Sequence, residues 1–292
     1  MDKQPDQTTV ALHIGAHKTA TTHLQRSLLA ATDDLRQHGV QFHGPRSFRW
    51  GEPSLLQRFS IADGPKGPVQ TVDAQAFDVL AQGARRLILS EENFAGTLMN
   101  DKGRLRRPLY PDGPRRIAEL AARMPVDGID LYLGIRHPTT LLNSAFSQRL
   151  HAKRDITLEK FLKRNAIELV DWVGLIARLR DLAGINSLTV WCYEDYATLF
   201  DRIVAGLTGG LVPGGVPALA ETMHGGLSEL AVTLLLADDT ISVADAMQSC
   251  PVDADNPRFD AFDAAAHALG QEFYAAQLAQ IDAMQGVTRI TP

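Results

Sequence analysis

Apolar positions along this chain fall into short compact runs, separated by longer stretches of helical period. Val10–Ile14, Arg86–Ser90, Gly128–Ile135 and Leu188–Tyr193 have the length and apolar content of buried strands. Between them, Thr22–His38, Ala74–Gln82, Arg115–Met124, Thr140–His151, Leu158–Asn165, Trp172–Ala183 and Tyr196–Leu207 carry helical spacing. Strands alternating with helices over residues 10–207 predict an α/β fold: a parallel sheet with helices on both faces. The Gly/Pro-rich stretch Gly210–Pro217 closes that region. Beyond it the chain reads as helical to its end, most clearly in Leu227–Leu236 and Phe259–Met284. We expect a core over residues 9–210 and a helical C-terminal extension, 211–292, packed on it. His43–Gln70 is rich in Gly, Pro and Ser and predicts a long surface loop with a short helix near Leu55–Phe59. Met1–Thr8 reads as a loose polar tail.

In such sheets ligands bind outside the carboxyl ends of the strands, and the chemistry-bearing residues fall there. The first run stops at Gly15, and Lys18, Thr19, Thr21 and Thr22 lead into the next helix. A helix N-terminus has unpaired N–H groups and a positive dipole end, so this turn suits a phosphate or sulfate. The plainer reading is a helix start capped by a threonine. The turn is not the G-x-x-x-x-G-K-[ST] loop, because Lys18 lies three residues after Gly15 and no glycine precedes it directly. Arg136 ends the third run, Pro138 suits a first helical turn, and Ser144 follows eight residues after Arg136. Leu87–Phe94 ends in Ser90, Glu91 and Glu92, and Ser187–Asp195 ends in Tyr193, Glu194 and Asp195.

Taken together, these segments resemble the sulfotransferases that use 3′-phosphoadenosine 5′-phosphosulfate (PAPS), in their bacterial branch. The resemblance covers residues 10–210, in family order. It implies a P-loop-like sheet in which Lys18, Thr19, Ala20, Thr21 and Thr22 grip the 5′-phosphosulfate while Arg136 and Ser144 hold the 3′-phosphate. PAPS is then the co-substrate and adenosine 3′,5′-bisphosphate the product. Ala20 stands where most of the family has glycine. A helical φ there makes alanine harmless, and that is the expected conformation. The strand ends Ser90–Glu92 and Tyr193–Asp195 match the remaining family segments.

Sulfuryl transfer builds negative charge on the leaving phosphate oxygen, and Lys18 is the cation to meet it. The acceptor needs a base. Glu92 is the first candidate, its neighbour Glu91 can exchange roles with it, and His17 is the runner-up. His13, inside the first strand, reads as a satisfied core histidine, and His151 suits a helix end. No metal is called for, and the strand end that carries Arg136 offers no Walker-B-like aspartate for magnesium. The competing readings are a divergent P-loop kinase or NTPase and a non-catalytic nucleotide-binding protein.

Composition changes little in this picture. The 292 residues carry a net charge of −5, which argues against nucleic acid as the main partner. Two cysteines, Cys192 and Cys250, make no disulfide framework or metal spacing, and Cys192 fits a strand core. No secretory or membrane-spanning run is evident, so a cytoplasmic setting without stable membrane insertion is expected. The basic stretch Lys102–Arg116 either meets an acidic acceptor or forms a solvated charged face. Trp50 either stacks on an acceptor or anchors its loop. The acceptor, whether small molecule, carbohydrate or lipid, and the oligomeric state leave no mark in the sequence.

Overall fold

The computed structural model describes residues 8–49, 54–59, 61, 75–152, 155–220 and 226–292. Six strands form one parallel sheet: β1 (Thr9–His13), β2 (Val40–His43), β3 (Arg86–Ser90), β4 (Ile129–Ile135), β5 (Ile185–Cys192) and β6 (Val287–Arg289). Their order is β2-β3-β1-β4-β5-β6, so β1 lies inside the sheet between β3 and β4. Such strands are covered on both faces and read as unbroken apolar runs. Val10, Ala11 and Leu12 are fully buried. Successive side chains point to opposite faces. Val10 and Leu12 accordingly join the cluster under the helices Gly113–Arg123, Pro138–Ala152 and Trp172–Arg180. Ala11 joins the cluster under Thr21–Ala30 and Tyr196–Thr208. The arrangement is a P-loop-like α/β fold, with the turn after β1 feeding the helix Thr21–Ala30.

The structure departs from the expected elements at several points. The helix expected over Thr22–His38 breaks at Ala31 into Thr21–Ala30 and Thr32–Gln37, and the Thr32 hydroxyl donates to the Leu29 carbonyl at the break. β2 is an edge strand of four residues in the gap between the expected helix end at His38 and the expected loop from His43. β6 has three residues and pairs with β5, so the C-terminal stretch is not helical to its end. A short helix, Val243–Ser249, lies between the two expected C-terminal ones. The surface-loop region contains helices Pro45–Arg49 and Leu55–Arg58, the latter with a Ser54–Gln57 capping box. Trp50 and the tail up to residue 7 lie outside the described residues.

Arg86, 4% exposed, ties the sheet to the helix Tyr196–Thr208. Its guanidinium donates to Asp130 Oδ2 at 2.6 Å and to the Leu207 carbonyl at 3.0 Å. Cys192 is buried in β5. Among the described residues no helix is long and apolar enough to cross a membrane.

Candidate functional site

The turn after β1 is laced to the end of β4. Ala16 N–H donates to the Gly134 carbonyl at 2.9 Å, and Gly134 N–H donates to the Gly15 carbonyl at 2.6 Å. Gly134 must be glycine because an added Cβ would lie 2.8 Å from Thr19 Oγ1. The chain then passes through left-handed backbone at Lys18 (φ 68°) and at Ala20 (φ 63°). The expectation of a helical φ at Ala20 is therefore corrected. Alanine occupies a conformation that glycine adopts without strain, at a cost of about 1–2 kcal/mol.

Ala20 occupies the cap position of the helix Thr21–Ala30, and no side chain caps it. The first N–H groups of that helix are left for a ligand or water. The hydroxyls of Thr21 and Thr22 have no hydrogen-bond partner among the described residues, whereas Thr19 Oγ1 donates to the Ala16 carbonyl at 2.7 Å. Thr19 is 1% exposed, so its side chain braces the turn and only its backbone remains for a bound anion. The Lys18 ammonium has no hydrogen bond or ion pair among the described residues. Burial lowers its pKa and the Arg136 charge lowers it further, with Glu92 opposing.

Arg136 comes to the same turn from β4. Its Nη1 donates to the Lys18 carbonyl at 2.8 Å and its Nε to Thr140 Oγ1 at 3.0 Å. The guanidinium lies 4.1 Å from the centre of the Tyr193 ring, a cation–π contact. Trp172 Nε1 fixes the Arg136 carbonyl at 2.9 Å. Of the five N–H donors of an arginine, those on Nη2 and one on Nη1 have no partner among the described residues. Burial pushes its pKa down, Tyr193 and Glu194 oppose, and Arg258 adds to the lowering. Ser144 is half-buried on the helix Pro138–Ala152 and makes no hydrogen bond with Arg136.

The two carboxylates after β3 differ. Glu91, 2% exposed, receives both arms of Arg49 at 2.7 Å and the Asn93 N–H at 2.8 Å. Glu92 lies against Gly15, accepts from Gln25 at 3.0 Å on Oε2 and from Arg49 at 3.0 Å on Oε1. Burial alone would raise the Glu92 pKa. Gln25, its own backbone N–H, His17 and Arg49 outweigh it and hold the carboxyl below its ordinary value. His17 pairs with the Tyr110 hydroxyl through Nδ1 and with Asn93 Oδ1 through Nε2, each at 2.9 Å. Its backbone N–H also donates to Tyr110 at 3.0 Å. Burial keeps His17 neutral more readily than usual. Since Asn93 Oδ1 only accepts, the proton sits on Nε2 and the Tyr110 O–H points at Nδ1.

The expectation of a satisfied core histidine at His13 is corrected. Its Nδ1 pairs with Ser90 Oγ at 2.7 Å, but its Nε2 is buried without a partner, as is Nε1 of Trp191 stacked on it. The structure thus gathers Lys18, Glu92, His17 and Arg136 at adjoining strand ends. Gln25, Arg49, Asn93, Tyr110 and Arg258 join them without having been singled out as site residues. Gln25 could have been found, since it lies one helical turn beyond Thr21 and Thr22. Asn93 sits next to Glu92 in the stretch Leu87–Phe94, whereas Arg49, Tyr110 and Arg258 arrive from distant segments and left no local signal. Among the described residues no group of three or more His, Cys, Asp or Glu side chains could hold a metal ion.

No family model matches this chain. No curated protein sequence matches it. Among solved structures it is similar to a sulfotransferase from Alicyclobacillus acidocaldarius, at 17% identity and a TM-score of 0.43, over 87% of this chain and 98% of that one. It is also similar to FlhF complexed with GMPPNP and Mg2+, at 13% identity and a TM-score of 0.27, over 73% of this chain and 65% of that one.

Proposed function

We propose that this protein transfers a sulfuryl group from PAPS to a hydroxyl or amine acceptor. The observation that carries this reading is the meeting of Lys18 and Arg136, two desolvated cations that follow different strands, around donors that no group among the described residues engages. A doubly anionic nucleotide fits that demand. One phosphate lies on the helix N-terminus with Lys18, Thr21 and Thr22, and the other lies on the arginine fork. Arg258 lies close enough to lower the Arg136 pKa by its charge, and Ser144 is assigned to the same phosphate in this reading. PAPS supplies an activated sulfuryl group, and Lys18 stabilises the charge that grows on the leaving phosphate.

Of the three base candidates, Glu91 is held in a bidentate ion pair and His17 has both ring nitrogens engaged. Glu92 keeps one acceptor position open beside Gln25, Arg49 and its own backbone N–H, and is ionised at neutral pH. It is the base in this mechanism, taking the acceptor proton as the oxygen attacks sulfur in line with the departing phosphate.

Adenosine 3′,5′-bisphosphate and ATP with magnesium, each at millimolar concentration, distinguish the readings by thermal shift. Stabilisation by the bisphosphate above that by ATP is expected. Stabilisation by ATP–magnesium alone would assign a P-loop kinase or NTPase. Transfer of label from PAPS to an acceptor panel, lost in Glu92→Gln, separates an enzyme from a binding protein.

A further inference from the structure

A second cationic feature lies outside the turn and Arg136. A cleft of about 640 Å³ opens between the loop 98–112 and the helix Leu158–Arg164. Arg104, Arg106, Arg107, Lys163 and Arg164 line it together with Asn100, Leu105 and Pro111, and among the described residues no acidic side chain does. The cleft is built, not a chance cluster of surface charge. Asn165, 1% exposed, accepts the Leu105 N–H at 2.8 Å and donates to the carbonyls of Gly103 and Phe161, each at 2.9 Å. That buried amide clamps both walls at a fixed spacing. Arg106 is held by Thr97 and Arg164 by the Lys102 carbonyl. None of the five cations makes an ion pair among the described residues.

We propose that this cleft is the acceptor subsite, and that it takes a small organic polyanion bearing several sulfate or carboxylate groups. Its role as an acceptor subsite rests on the sulfotransferase reading. Four arginine forks match the planar, bidentate geometry of carboxylate and sulfate groups. Among the described residues no aromatic side chain lines the cleft to stack a phenol or a base, and Leu105 and Pro111 are the only apolar ones, too few for an acyl chain. The volume is that of a small-molecule site. The loop ties the cleft to the reaction centre, because three residues after Arg107 it reaches Tyr110, whose hydroxyl holds the backbone and ring of His17 beside Lys18.

The test uses the intact chain with sucrose octasulfate as probe and sucrose as its uncharged counterpart. The triple variant Arg104→Gln, Arg107→Gln, Lys163→Gln removes exposed charges and leaves Asn165, Arg106 and Arg164 in place. Octasulfate is expected to bind the wild type, and binding to weaken about tenfold or more in the triple variant. Sucrose is expected not to bind, and added salt to weaken the interaction. An unchanged thermal melt of the unliganded variant guards against misfolding. Equal octasulfate binding by variant and wild type would overturn the proposal. So would equal protection by inorganic sulfate at matched sulfate concentration, which means an adventitious ion only. Hexaglutamate binding as tightly as octasulfate, with the same loss in the variant, would give the cleft to an acidic peptide instead. If octasulfate behaves as expected while adenosine 3′,5′-bisphosphate stabilises neither protein, the polyanion site stands and the sulfotransferase reading falls.

Discussion

The two ends of the candidate site are built on opposite principles. Around β1 and β3, nearly every polar group is answered by another. Ser90 meets His13 and Gln25, Gln25 meets Glu92, and Arg49 meets both glutamates. Around β4 and β5, Arg136 is braced by Tyr193, Thr140 and the Lys18 carbonyl but keeps open donors. The closed end fixes geometry, since a satisfied buried network locks its members. The open end leaves charge for a ligand to neutralise. Lys18 belongs to both: its backbone is pinned by the braced turn and by Arg136, and its ammonium has no partner among the described residues.

The sharpest way to break this contrast is to remove the free ammonium. Lys18→Ala should lower sulfuryl transfer by about a hundredfold to a thousandfold, the range for losing one preorganised donor, with little change in melting temperature. Steady-state kinetics and a melt measure both. A large loss of stability with modest loss of rate would mean that Lys18 belongs to the closed network instead.

The closed end should announce itself through acid. The pKa of His13 lies at about 4 in the fold, below the ordinary 6.5, because burial disfavours the cation. Between those values the unfolded chain binds the proton and the folded one does not. The stability is therefore full above pH 6.5 and falls as the pH drops towards 4, by roughly 3 kcal/mol from this residue. The lowered pKa of His17 acts in the same direction. Urea unfolding at pH 7, 5 and 4 should show that His13→Asn shrinks the fall. An equal fall in the variant would place the acid sensitivity elsewhere.

Arg49→Met would leave Glu91 buried without its bidentate partner. A loss of about 1–3 kcal/mol is expected by denaturant titration. Because Arg49 also holds the Glu92 carboxyl down, the acidic limb of the rate profile should move to higher pH. The smallest effect is expected at Ala20. Ala20→Gly relieves a left-handed alanine and should stabilise the protein by about 1 kcal/mol. A destabilised Ala20→Gly would mean that the turn does not hold Ala20 at positive φ.

The sequence foretold the fold where apolar runs were long and buried on both faces. β3 was delimited to the residue, and β1, β4 and β5 to within three at either end. β2 and β6 escaped because edge strands of four and three residues carry too few side chains to show a period. The site was legible where a residue type is unusual at its position, as with Lys18 before a helix or Arg136 at a strand end. It was illegible where function depends on partners far along the chain. Nothing local to Tyr110 says that it holds His17, and nothing in Ala20 reports its φ, which the pairing of Gly15 and Ala16 with β4 helps to set.

The account turns on Lys18 and Arg136 gripping opposite ends of one nucleotide. Calorimetric titration of adenosine 3′,5′-bisphosphate and of adenosine 5′-monophosphate into wild type and Arg136→Met tests it directly. Wild type should prefer the bisphosphate by about tenfold or more, the worth of a charge-assisted hydrogen bond, and Arg136→Met should bind the two nearly alike. A preference that survives the loss of Arg136, or that the wild type never shows, would contradict the account.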